Sequence, residues 1–225
     1  MFFTTSWDDG NKMDLKIAKL LKRLDLKGTF YIPIIRNRNC LSNLDIKKIS
    51  KDFEIGSHGF SHKRLIFLRS KEMQFEVSKS KMILERISGK KIIAFAYPFG
   101  SYNKKTSTEV KNAGYKFART VVEGNFSKPK NPFAAGISLN FTNLYVSPLR
   151  ILARLPKFNS FNFYDCFRNI VENATKNDIV HIVGHSWEFS SNERFEKLTS
   201  LLEYVSKQQV KPIINSEILK ISHIS

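Results

Sequence analysis

Two histidines four residues apart, His58 and His62, stand in Gly56-Ser57-His58-Gly59-Phe60-Ser61-His62, just after a short apolar run. Imidazoles at that spacing can converge on one ion. With a carboxylate from elsewhere they form a facial metal set that leaves a position open for water. A polar loop with both rings hydrogen-bonded fits the same residues. The chain holds only five histidines in 225 residues, so this loop concentrates a scarce ligand type. A second candidate is Thr4-Thr5-Ser6-Trp7-Asp8-Asp9-Gly10, in which paired carboxylates end an apolar run; Asp-Asp-Gly is also ordinary turn chemistry. Neighbours on a regular strand point to opposite faces, so Asp8 and Asp9 share one site only where the strand bends, and Gly10 permits a bend. A third is Ala94-Phe95-Ala96-Tyr97-Pro98-Phe99-Gly100, where Pro and Gly end a strand sharply, either to expose a backbone N–H or simply to terminate it. The fourth is His181-Ile182-Val183-Gly184-His185-Ser186-Trp187-Glu188. Its two histidines share a strand face but stand roughly 13 Å apart along an extended strand, so only one can reach a given substrate atom.

Each candidate falls at the end of a predicted strand, the C-terminal edge where barrel enzymes assemble their sites. Short runs rich in β-branched and aromatic residues predict strands over Phe2–Trp7, Gly28–Ile34, Phe53–Ser57, Ile92–Tyr97, Lys116–Val121, Ala135–Leu139, Asp178–Gly184 and Val210–Ile214. Several are apolar nearly throughout, as strands covered on both faces are. Between them lie helical stripes: Leu15, Ala18 and Leu21; Met73, Val77, Leu84 and Ile87, with Gly89 as C-cap; and Phe195, Leu198, Leu202 and Val205. This alternation predicts an α/β fold with a mostly parallel sheet, as one domain over 1–225 without internal repeats. Val122–Pro132 reads as a loop, and Phe141–Ser160 as a lid or edge.

Composition narrows the class. An apolar fraction of 42% and an aromatic fraction of 12% describe a globular chain. No apolar run is long enough for a spanning helix, and the N-terminus lacks the pattern of a signal peptide, so a cytoplasmic location is expected. Cys40 and Cys166 show no metal-type spacing and read as reduced thiols. The 37 basic and 20 acidic residues give a net charge of +17, suited to an anionic partner. Specific nucleic-acid binding is not expected, because no zinc finger, RNP-like motif or arginine stripe accompanies the charge.

Taken in order, Asp8-Asp9-Gly10, His58-x-x-x-His62, the Pro98-Phe99-Gly100 turn and the late strand ending in His185 resemble the polysaccharide deacetylase (NodB-homology) family, over residues 4 to about 188. The resemblance implies a distorted (β/α) barrel of about seven mostly parallel strands, so one of the eight runs should lie outside it. It implies hydrolysis of acyl groups on sugars, with a divalent ion, zinc by default and cobalt, nickel or manganese as alternatives. By the same resemblance Asp9, His58 and His62 hold the metal, Asp8 is the base, His185 the acid, and the Phe99 N–H part of the oxyanion site. Tyr97 and Trp187 are weaker candidates for lining the sugar pocket. The chain departs from the pattern at Ala96, where the family commonly has an arginine that orients the base. Arg119, at the end of the next strand, is the expected replacement.

The reading favours N-deacetylation of an amino sugar, as a cytoplasmic glycan or surface-polysaccharide precursor on an anionic, lipid- or nucleotide-linked carrier. An amide or formyl hydrolase of the same fold, or a metal-retaining binder without turnover, are the alternatives. His185→Ala is expected to abolish turnover and His181→Ala to leave it measurable, in an assay of acetate release.

Overall fold

The computed structural model describes residues 1–141 and 163–222. The expected lid or edge, from residue 142 onward, and His223 lie outside the described residues.

Seven strands form a parallel sheet in the order β5-β4-β3-β2-β1-β7-β6. They are β1 (Phe2–Asp8), β2 (Gly28–Ile32), β3 (Glu54–Ser57), β4 (Ala94–Ala96), β5 (Phe117–Arg119), β6 (Leu139–Asn140) and β7 (Ile179–His185). A bridge from Arg119 to Ala135 brings the chain leading into β6 alongside β5, so the sheet curls round as a distorted barrel. The eighth run keeps only two paired residues, β8 (Lys211–Pro212), beside the start of β1 and off the path of the barrel. Several strands are shorter than the sequence suggests because the curl carries their ends out of the ladder. Before β6, Ile137 N donates to Val122 O at 2.8 Å and Ser138 N to His181 O at 2.8 Å, in place of a regular ladder over 135–138.

Alternation along the strands separates two interiors. Phe3, Trp7, Phe30, Ile55, Phe95, Val180 and Ile182 belong to the larger apolar core. The helices α1 (Asp14–Arg23), α2 (Asn43–Ile49), α3 (Ser70–Ser88), α4 (Lys104–Asn112), α5 (Phe163–Asn173) and α6 (Asn192–Ser206) accompany that sheet. Ala18, Leu21, Met73, Val77, Leu84, Leu198, Leu202 and Val205 of the predicted stripes are buried in this core. Gly89 ends α3 in the left-handed conformation, φ 69°, which costs an L-residue more than glycine.

The opposite faces of the strands carry an unusual number of polar groups. Thr4, Ser6 and Asp8 of β1, Thr29 of β2, Arg119 of β5 and His181 of β7 are all buried. A second apolar cluster shares this space: Tyr31, Ala94, Ala96, Phe117, Ala135, Ile179, Ile213 and Ile218. Asn215, from the turn after β8, closes the group: its Nδ2 donates to Thr4 Oγ1 at 2.9 Å, and its Oδ1 accepts from Ser6 Oγ at 2.7 Å and Tyr31 Oη at 2.9 Å. The packing is tight at Gly56, where a Cβ would lie 2.3 Å from the Tyr31 ring. Gly56→Ala is therefore expected to cost about 1–3 kcal/mol, read as a lowered urea midpoint; an unchanged midpoint would mean that Tyr31 moves freely aside.

Candidate active site

The predicted residues meet at the C-terminal edge of the sheet. Asp8 ends β1 and is in register with His185 at the end of β7 and with Tyr31 on β2. Beyond Asp8 the backbone turns left-handed through Asp9 (φ 73°) and Gly10 (φ 61°). That bend lets adjacent carboxylates face one site despite strand alternation. His62 (φ 56°) and Phe99 (φ 60°) share the conformation. Three of the four described non-glycine residues at positive φ thus lie in this site. Such strain persists only where surrounding structure over-determines it.

The donor atoms of Asp9, His58 and His62 all lie within 4.8 Å of one another. His62 Nε2 stands 3.2 Å from His58 Nε2 and 3.4 Å from Asp9 Oδ1. His58 Nδ1 lies 2.8 Å from the Ala96 carbonyl oxygen. A carbonyl only accepts, so Nδ1 carries the proton and Nε2 turns its lone pair toward the other donors. Burial, opposed by Asp8, keeps this ring neutral, with its pKa pushed down to about 4. One carboxylate and two imidazoles, one held in the ligating tautomer, fit a divalent cation.

Asp8 lies behind this cluster, its Oδ2 3.8 Å from His58 Nε2. Its other oxygen receives a charge-assisted hydrogen bond from Arg119 Nη2. Arg119 is in register with Ala96 across β4 and β5, so both share a face, and the small alanine leaves the long guanidinium room to cross. Burial alone would raise the Asp8 pKa. The charge of Arg119, its hydrogen bond and the charge of His185 outweigh it and hold Asp8 below the usual carboxylate value.

His185 faces the cluster from β7, with Nε2 3.8 Å from Asp9 Oδ2 and Nδ1 3.6 Å from Glu188 Oε1. Burial would lower its pKa, but the Glu188 hydrogen bond and the charges of Asp8, Asp9 and Glu188 raise it above the ordinary imidazole value. Trp187 tilts beside the His185 ring at 5.2 Å, donates from Nε1 to Asp9 Oδ2 at 3.4 Å, and is half exposed at the mouth. The Phe99 ring lies 4.7 Å from that of His62, and the Arg64 guanidinium lies over it at 4.3 Å. Tyr97 departs from its expected place: it is fully buried, and its hydroxyl donates to Phe133 O at 3.0 Å. Strand alternation turns it away from the pocket, so it supports the turn rather than lining the site. His181 is likewise buried, four residues deeper in β7, with Nε2 2.5 Å from Ser6 Oγ.

Two acidic residues contribute without having been visible in the motifs. Glu76 on α3 accepts from Phe60 N at 2.9 Å, Ser61 N at 2.8 Å and the Ser61 hydroxyl, and so holds the loop between His58 and His62. Its place inside an otherwise apolar helical stripe was the available signal. Asp14, first residue of α1, is fully buried; burial raises its pKa well above the ordinary value despite the nearby Ser186 hydroxyl. Glu76→Gln is expected to weaken zinc binding about 10- to 100-fold in calorimetric titration while the fold survives. Unchanged affinity would show that the loop holds its shape without this carboxylate.

The sequence profile of the polysaccharide deacetylase family matches residues 3–118. The YxkH protein of Bacillus subtilis (strain 168), assigned as a polysaccharide deacetylase, is 25% identical over 133 residues, 57% of this chain and 48% of that protein. A peptidoglycan deacetylase of Helicobacter pylori (strain ATCC 700392 / 26695) is 21% identical over 112 residues, 50% of this chain and 38% of that one. The chain therefore spans half or less of the length of these curated relatives. Among solved structures, a polysaccharide deacetylase from Bacillus cereus is 30% identical, with a TM-score of 0.54 over 59% of this chain and 45% of its own. A peptidoglycan N-acetylglucosamine deacetylase shares the fold over 98% of this chain and 89% of its own, with a TM-score of 0.64 at 16% identity. With over half its length matched by the family profile, and the fold of its solved members, the chain belongs to the polysaccharide deacetylase family.

Proposed function

We propose that this chain is a metal-dependent hydrolase that removes N-acetyl groups from an amino sugar. The observation that carries the reading is the buried carboxylate of Asp8, paired with Arg119 and set 3.8 Å from a donor of the three-residue cluster. A buried carboxylate held ionised beside a cation site is suited to take a proton from water.

Asp9, His58 and His62 would hold the ion. A divalent cation there would polarise the acyl carbonyl and make a water more acidic. Asp8 accepts the proton of the attacking water, and Arg119 keeps the Asp8 carboxylate ionised and aimed. The Phe99 N–H, fixed by its left-handed backbone just beyond β4, donates to the developing oxyanion. His185 gives its proton to the departing amine, which otherwise leaves as an unfavourable anion. Its raised pKa, sustained by Glu188, keeps that proton available near neutral pH. Trp187, half exposed beside His185, offers a face for a pyranose ring. The net charge of +17 supports a substrate on an anionic carrier, lipid- or nucleotide-linked, whose turnover should then weaken with added salt.

Acetate release from N-acetylated amino-sugar oligomers, with zinc, cobalt, nickel or manganese supplied, tests the reading; no release from any of them overturns it. Asp8→Asn is expected to lower kcat about 100- to 10,000-fold. Arg119→Ala should lose about 100-fold through misplacement of the base. Because residues 96 and 119 are in register, Ala96→Arg added to Arg119→Ala should recover part of that loss. Failure to recover would mean that the guanidinium works only from β5.

A further inference from the structure

Arg119 is wholly buried, yet only Nη2 has a hydrogen-bond partner; Nε and Nη1 have none among the described residues. A guanidinium taken out of water with most of its donors idle is costly, and native proteins rarely leave such groups unmatched. Among the described residues the buried side-chain atoms without a partner by strict geometry are few: these two nitrogens, His181 Nδ1, both Asp14 oxygens and Ser186 Oγ. They sort by chemistry into two sets. Ser186 is the donor beside the Asp14 carboxyl. His181 Nδ1 is left as the counterpart of the Arg119 donors.

The state of His181 follows from a count of protons. Ser6 Oγ has one proton, and it goes to Asn215 Oδ1, whose amide nitrogen is committed to Thr4. Ser6 Oγ must therefore accept from His181 Nε2, 2.5 Å away. That fixes the Nε2–H tautomer and leaves Nδ1 with a buried lone pair. The Arg119 charge, within electrostatic reach of the ring, joins burial in keeping it neutral. Tyr31 completes the enclosure: the Arg119 guanidinium lies over its ring at 4.9 Å and its hydroxyl donates to the same Asn215 oxygen as Ser6.

We propose that His181 is a positioning residue for Arg119, its Nδ1 accepting from one buried water that in turn accepts from the guanidinium Nε–H and Nη1–H. Three polar partners are what a buried water typically finds. The arm aimed at Asp8 is thus braced from behind. The chain Asn215–Ser6–His181 ties that brace to the segment after β8 that closes the barrel. His181 touches neither substrate nor ion; it acts through Arg119.

The kinetic arm of the test rests on the reaction proposed above; the spectroscopic arm does not. Nitrogen-15 spectra of the full chain should show His181 as the neutral Nε2–H tautomer with a hydrogen-bonded Nδ1; an Nδ1–H or charged ring overturns the inference. Two substitutions separate the ring's two contacts. His181→Asn keeps an acceptor near the Nδ1 position and gives up the bond to Ser6, whereas His181→Gln reaches toward Ser6 and gives up the acceptor. His181→Gln is expected to lower kcat about 10- to 100-fold, with KM within about twofold, and to lose exchange protection of the Arg119 Nε–H. His181→Asn should retain both turnover within about threefold and that protection. Equal losses in the two variants, or a larger loss in His181→Asn, would make His181 merely an anchor for Ser6. If the wild type releases no acetate from any substrate, the proposed reaction falls, and the tautomer with the Arg119 protection still decides the brace.

Discussion

The site depends on placing one positive charge inside a barrel. Arg119 has no exposure, and Asp8 is almost as deeply enclosed. Removing one partner from such a buried pair typically costs about 3–5 kcal/mol, because the other charge is stranded. The pair therefore constrains its surroundings more than it stabilises the fold. Ala96 must stay small, the Tyr31 face must be present, and Gly56 must leave room for that ring. A neutral, well-filled barrel would be the easier solution for stability alone. Keeping an ionised carboxylate in this position suits the proton transfer proposed for Asp8.

The same constraint explains where strain collects. A parallel barrel delivers side chains to its C-terminal edge from several strands, but alternation sends every second one outward. Asp8 satisfies the alternation and points inward beside Arg119. Asp9 escapes it through a left-handed turn shared with Gly10. His62 and Phe99 use the same escape, and their rings come within 4.7 Å of each other beside the site. Glu76 holds the first of these loops with two backbone hydrogen bonds. Loop strain is thus concentrated where ligands and donors must converge, while the strands below remain regular.

Much of this was legible in sequence because it depends on short spacings. The His58–His62 interval, the Asp8-Asp9-Gly10 end of β1 and the Pro98-Phe99 turn each report local geometry. Arg119 was legible for another reason: an arginine missing at position 96 and one present at the end of the next strand are neighbours once the strands pair in register. Tyr97 was misread because a motif does not reveal which way its residues face; its position in alternation buries it. Glu76 showed in sequence only as a carboxylate within an apolar stripe, and Asn215 not at all, since it bonds residues distant in the chain. Asn215 meets Ser6 across 209 positions, a pairing that only the closed barrel makes. The two-residue β8 shows a related limit: an apolar run predicts that a segment will be buried, but not whether it pairs as a full strand or folds under the barrel.

The family profile ends at residue 118, one position short of Arg119 and well before His185. The matched portion contains the three candidate ligands, Asp8 and the Phe99 turn. The support for Asp8 and the opposing histidine come from the unmatched half. A carboxylate at the end of β1 can be oriented by any strand whose inward residue reaches it, and β5 reaches it as well as β4 when position 96 is small. What the proposed chemistry requires is the charge and its direction at Asp8, not the strand that carries the guanidinium. A long side chain crossing from β5 is more exposed to error than a short reach from β4. That is the physical reason for the barrel interior beneath it to be filled with committed hydrogen-bonding groups, His181, Ser6, Tyr31 and Asn215, rather than with aliphatic side chains alone.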